Sequence, residues 1–237
     1  MSASLALDWT KEKTDTVFGV TFVEKDVLRD YRFPFISLSG GKYAALGTKE
    51  AFNYMIEDMW LPFTCLASNL SKSEMAVYTQ GSLYDALIAS FAIPGILPPS
   101  IIDSNYLVDG GLMNNLPVDL LHEIGCLHVI GINVGSAGEI YAKEDTLPST
   151  FTILKNKFFG GKLRYPSFLQ VMDRSLMLAS FKHTKDMIEQ ANLVFQPNVK
   201  KINLTEWKRF YEVKKIGYDH AKEILKKMSE EKKSLFK

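Results

Sequence analysis

The residue whose setting best suits chemistry is Asp109, in the stretch Tyr106-Leu107-Val108-Asp109-Gly110-Gly111. Three apolar residues bounded by turn formers read as a short buried strand, and the carboxylate falls at its C-terminal end. The two glycines allow a sharp turn or the close approach of another group. Asn114 and Asn115 continue the turn, and Pro117 suits the first turn of a helix. In open α/β sheets a carboxylate so placed takes part in binding or proton transfer. An ordinary capping aspartate in a strand-to-helix loop fits the same residues.

A carboxylate base needs a nucleophile to serve. A G-x-S-x-G elbow would expose a serine hydroxyl at a strand-to-helix turn, and the sequence has none. Gly135-Ser136-Ala137-Gly138 comes nearest, but Val134 stands where the first glycine should be. Ser39 precedes Gly40-Gly41 without an elbow, and Ser39-Gly40-Gly41-Lys42 lacks the Walker spacing of a phosphate loop. His122, His128, His183 and His220 form no H-E-x-x-H pair, and Cys65 and Cys126 have no metal-ligand spacing. Neither a metal nor an organic cofactor is expected. The cysteines read as two buried free thiols.

The elements that must position Asp109 follow from periodicity. Residues 1–8 look like a helix under way without a capping signal, and Thr10 starts another. Helices are expected over 43–55, 83–91 and 117–124, and strands over 61–70, 75–79 and 106–108. Leu127 to Val134 is a near-continuous, β-branched apolar run, the pattern of a parallel strand buried on both faces. Residues 168–190 read as a helix whose stripe is Leu169, Met172, Leu176, Ala179 and His183, with Arg174 and Lys182 outward. Residues 193–195 are a last strand. A long amphipathic helix begins at Glu206, with Phe210, Val213, Gly217, Ala221, Ile224, Leu225 and Met228 inward. Strands alternating with helices imply an α/β layered domain with a largely parallel sheet, in which residues 62–69, 106–109 and 127–134 share one sheet.

Four ordered blocks carry a resemblance: Ala92-Ile93-Pro94-Gly95, Leu97-Pro98-Pro99, Val108-Asp109-Gly110-Gly111 and Asn114-Asn115-Leu116-Pro117-Val118-Asp119. Together they resemble the C-terminal portion of the patatin-like phospholipase domain, in its bacterial esterase and neuropathy target esterase branch. The resemblance runs from the N-terminus to about Ser136 and more loosely beyond. It implies a three-layer α/β/α domain with a mostly parallel central sheet. It also implies a Ser/Asp dyad, with Asp109 as the aspartate and Gly110 and Gly111 permitting the turn. The substrate would be a phospholipid or lysophospholipid, and no cofactor is called for. Met1 to Trp9 looks like the helix after the family's elbow, so the expected serine, the first strands and the glycine-rich oxyanion loop would precede Met1. Three readings are open: a lipid esterase of which these residues are a part, a catalytically inactive remnant that binds lipid or a protein partner, and an unrelated α/β binding domain with a chance Asp-Gly-Gly turn.

Bulk properties bound these readings. A length of 237 residues, with 46% hydrophobic and 23% charged residues, fits one soluble domain over 1–237, N-terminally incomplete by the resemblance. Residues 139–166 form an irregular loop region, and 206–237 a C-terminal amphipathic helix. A net charge of +1 argues against a nucleic-acid binder. Lys155, Lys157, Phe158, Phe159, Lys162 and Arg164 interleave charge with aromatic rings, a composition suited to an anionic lipid surface. The start lacks the basic opening of a signal peptide, and no apolar run reaches the roughly 20 residues of a membrane span. A cytoplasmic protein with peripheral membrane contact is expected.

Overall fold

Strand β1, Cys65–Asn69, is an inner strand of the main sheet, and all five of its residues are buried. It belongs to a computed structural model that describes residues 2–20, 30, 36–135, 146–147, 149, 151–153, 155, 168–200, 202 and 206–228. The Asn69 side chain accepts the amides of Ser71 and Lys72 and turns the chain into β2, Glu74–Tyr78. Strand β3, Ser100–Ile102, returns through Asp103 and Ser104 into β4, Asn105–Asp109. Both turn residues have positive φ, 48° and 62°, the two-residue geometry that matches strand twist. The four strands pair in the order β2-β1-β4-β3.

Every pairing in this sheet is antiparallel. The α/β class therefore stands, but the largely parallel central sheet does not. Loop length dictates two of the three pairings, β1–β2 and β3–β4. Connections of two and four residues can join only antiparallel neighbours, whereas a parallel pair needs a crossover of a dozen residues or more. Among the described residues a parallel strand pair forms separately: β5, Ile130–Ile132, beside β6, Leu193–Phe195. Residues 130–132 thus share no strand pairing with β1 and β4, contrary to expectation. Nor is the 127–134 run buried on both faces. Val129 and Gly131 turn inward, Gly131 toward Leu116 and Val194. Leu127, Ile130, Ile132 and Val134 are 82%, 45%, 64% and 60% exposed. An apolar run records that both faces tolerate burial, not that both are covered.

Helices pack the sheet through small residues. Helix α1, Ser2–Ala6, buries Ala3 in a cluster with Phe52, Ile56, Cys65, Leu83 and Ala86. Thr10 caps α2, Lys11–Phe18, by accepting the Lys13 amide. Helix α3, Lys42–Ala51, follows a left-handed Gly41. Ser82 caps α4, Leu83–Ser90, by accepting the Asp85 amide, and Ala89 of that helix meets Ala67 and Leu107 on the sheet. Helix α5, Val118–Glu123, ends in a Schellman motif: the Cys126 amide reaches Leu121 and Gly125 takes φ 95°. That cap puts Cys126 on the surface, so only Cys65 of the two thiols is buried.

Helix α6, Phe168–Gln190, has the expected span but a different inner face. Met172 and Leu176 are 42% and 43% exposed, and Ala179 is exposed too, while Ser180, Thr184 and Met187 are buried. The helix docks against polar backbone, which small hydroxyl side chains suit. Helix α7, Phe210–Lys227, buries no residue fully. Phe210, Val213, Gly217, Ala221 and Ile224 are half-buried, but Leu225 is exposed. Phe210 stacks on Phe18 at 6.4 Å, Lys214 pairs with Asp15, and His220 Nε2 accepts the Gln196 amide.

Leu83 is fully buried in the main cluster, so Leu83→Ala should cost about 2–5 kcal/mol in urea unfolding. Leu225→Ala, on the outer side of α7, should cost less than about 1 kcal/mol. Equal losses would refute this placement of the core.

A candidate active site at the Asp109 turn

Asp109 is the last residue of β4 and the cap of a short 3-10 turn, Gly110–Leu112. Its Oδ1 accepts the Gly111 amide at 2.8 Å, and its own amide donates to Ala92 O at 3.1 Å. The second bond ties the strand end to the Pro-rich stretch, which in turn accepts the Leu38 and Ser39 amides at Gly95 and Ile96. Leu107 and Val108 are buried as expected, while Tyr106, nearer the β3–β4 turn, is 55% exposed. The sheet is antiparallel here, so Asp109 does not sit at the C-terminal rim of a parallel sheet. Its place is set by pairing opposite Ala67 of β1.

Two neighbours fix the turn. A Cβ on Gly110 would lie 2.4 Å from Leu66 O, closer than any side chain can come, so only glycine lets β1 and the turn pack this tightly. The Ser68 hydroxyl donates to Asp109 O at 2.9 Å. From the opposite side, the Ser180 hydroxyl of α6 donates to Gly111 O at 2.6 Å. Ser68 and Ser180 are 4% and 0% exposed and direct their hydroxyls at backbone carbonyls, so neither is placed as a nucleophile. A serine hydroxyl does meet a carboxylate elsewhere: Ser39 donates to Asp30 Oδ1 at 2.6 Å and accepts the Gly41 amide. Asp30 also accepts the Lys42 amide at the start of α3, and Ser39 is fully buried. That pair organises a helix start.

A polar network continues from the turn. Asn114, 6% exposed, donates from Nδ2 to Asp119 Oδ1 at 2.9 Å, and the same oxygen accepts the Leu120 amide. Asp119 Oδ2 lies 3.2 Å from His183 Nε2 on α6. Burial pushes the Asp119 carboxyl up, but the bonds from Asn114 and Leu120 and the charge of His183 outweigh it and hold the pKa below the usual value. Asn114 Oδ1 is buried and has no hydrogen-bond partner among the described residues.

The structure thus brings Asp109, Gly110 and Gly111 together with Ser180, Asp119 and His183. Asp119 had a readable signal, an acidic residue in the first turn of a helix. Ser180 had none, because a serine among leucines and methionines reads as a break in the apolar stripe. Among the described residues no three His, Cys, Asp or Glu side chains group as metal ligands. Lys155 is exposed, whereas Lys157, Phe158, Phe159, Lys162 and Arg164 lie outside the described residues. No helix among the described residues is long and apolar enough to cross a membrane.

Residues 36–122, which contain the whole turn, match the family described as patatin-like phospholipase. Lysophospholipase NTE1 of Cryptococcus neoformans var. neoformans serotype D is 31% identical over 214 residues, covering 87% of this chain and 13% of its own length. The neuropathy target esterase sws of Drosophila melanogaster is 25% identical over 231 residues, covering 94% of this chain and 16% of its own length. Patatin-like phospholipase domain-containing protein 7 of Mus musculus is 27% identical, covering 87% of this chain and 16% of its own length. The chain therefore spans less than about a fifth of the length of these relatives.

A depressed carboxyl pKa contributes stability that is present above the unfolded value of about 4 and lost as pH falls through the folded value. Asp119→Asn should therefore lower the urea midpoint at pH 7, with the gap to the parent chain closing below about pH 4. A constant gap from pH 7 to pH 3 would show that the Asp119 charge is not involved.

Proposed function

Since the chain belongs to the patatin-like phospholipase family, we propose that it carries the aspartate half of a Ser/Asp esterase acting on acyl esters of lysophospholipids or phospholipids. The observation that carries this reading is Asp109 itself, oriented by the Gly111 amide at a strand end inside the matched segment. In the proposed cycle a serine Oγ attacks the ester carbonyl carbon and passes its proton to Asp109. The ester C–O bond breaks, the proton leaves with the alcohol, and water attacks the acyl-serine by the same route in reverse. A solvated aspartate, with a pKa near ~3.9, is a weak base at neutral pH. The buried Leu107-Val108 approach supplies a drier setting on one side of the carboxylate. The sequence holds no G-x-S-x-G serine and no glycine-rich oxyanion loop.

The second reading, a catalytically inactive protein that binds lipid or a protein partner, draws on one observation. The serine hydroxyls nearest the turn, Ser68 and Ser180, bond to backbone carbonyls. Lysophospholipid hydrolysis by the protein of the full open reading frame containing these residues separates the two. Asp109→Asn should lower kcat by about 10²–10⁴-fold with KM nearly unchanged. Unaltered turnover in that variant would remove Asp109 from the mechanism, and lipid binding without turnover would favour the second reading.

Membrane contact is the remaining element of the proposal. Lys155, Lys157, Lys162 and Arg164, interleaved with Phe158 and Phe159, suit an anionic bilayer surface. The 237-residue chain should sediment with phosphatidylserine vesicles at low salt, and replacing the four basic residues by Glu should abolish this. Equal sedimentation of both proteins would place the contact elsewhere.

A further inference from the structure

We propose that α6 sets the geometry of the Asp109 turn, with Ser180 and His183 as positioning residues; their link to catalysis rests on the reading of Asp109 as the general base. Ser180 and His183 stand three positions apart, on neighbouring points of one helix face. Ser180 is fully buried and donates to Gly111 O at 2.6 Å, while the Gly111 amide donates to Asp109 Oδ1 at 2.8 Å. Gly111 is thus gripped on one side by the helix and on the other by the carboxylate. His183 reaches the same turn through Asp119, which holds Asn114, whose amide donates to Gly110 O at 3.0 Å.

The choice of residues on α6 supports a latch over simple packing. A helix docked for burial alone would turn its apolar stripe inward. Here Val171, Met172, Leu176 and Leu178 are each more than 40% exposed, and the buried positions include two hydroxyls, Ser180 and Thr184. Burying a hydroxyl is unfavourable unless it is bonded. Thr184 satisfies its own by donating to Ser180 O within the helix, which Ser180 does not copy. Ser180 instead reaches across 69 positions of sequence to a glycine carbonyl beside the candidate base. Ser68 anchors the Asp109 carbonyl, two residues before Gly111, from β1, so the turn is held by one hydroxyl from the sheet and one from the helix.

Amide hydrogen exchange by NMR on the 237-residue chain tests the latch without requiring activity. Ser180→Ala should speed exchange of the Gly111 amide at least tenfold relative to amides of the β1–β2 hairpin. His183→Gln should speed it by a smaller factor. Thr184→Val, which removes a neighbouring buried hydroxyl but no bond to the turn, should leave the Gly111 ratio within twofold of the parent. If Ser180→Ala and Thr184→Val change that ratio equally, the latch is refuted. Because exchange reads the turn directly, loss of the latch remains distinguishable from failure of the hydrolase reading, which Asp109→Asn turnover decides.

Discussion

The approach of Gly110 to the Leu66 carbonyl is the contact on which the rest of the site depends. A backbone can come that close to a strand only where no Cβ intervenes. The closeness lets β4 pair with β1 up to Asp109 and then turn at once, so the carboxylate caps the turn through Gly111. A larger residue at Gly110 would push the turn off the strand and break both the Ser68 bond and the register of the strand end.

The second side of the turn is held by polar groups, and the energetics explain why they are buried. A backbone carbonyl left without a partner in the interior costs about 1–3 kcal/mol, more than a typical hydrogen bond returns when it forms. The 3-10 turn over Gly110–Leu112 satisfies the Gly110 carbonyl through the Met113 and Asn114 amides but leaves the Gly111 carbonyl to a partner from elsewhere. Ser180 answers the Gly111 carbonyl from outside. Asp119, Asn114 and His183 extend the same solution along the chain, and the result is a polar seam between α5 and α6. Leu116, Val118, Val129 and Met187 form a buried apolar cluster beside it, while the His183 and Asp119 side chains stay 35% and 33% exposed.

The sheet shows how strongly short connections govern topology. The Leu70–Ser73 and Asp103-Ser104 turns are too short for a crossover, so β1–β2 and β3–β4 can pair only antiparallel. The long α6 crossover permits the parallel β5–β6 pair for the same geometric reason. The outward faces of Ile130 and Ile132 leave apolar surface next to that pair, a feature associated with sites where another surface packs.

Much was determined by the amino-acid sequence alone. The spans of α6 and β6, the starts of α2 and α4 at Thr10 and Ser82, the strand that ends at Asp109 and the need for glycine after it all follow from local capping, periodicity and backbone sterics. These are short-range effects, complete within a few residues, and they are legible without a partner. Which face of α6 turns inward, which side of the 127–134 run stays exposed and which hydroxyl answers Gly111 were decided only by tertiary structure. In each case a side chain's role depends on a group distant in sequence: Ser180 and Gly111 are 69 positions apart. Periodicity records what a residue could bury, whereas the unsatisfied carbonyl it must meet exists only once the strand, the turn and the helix have been brought together.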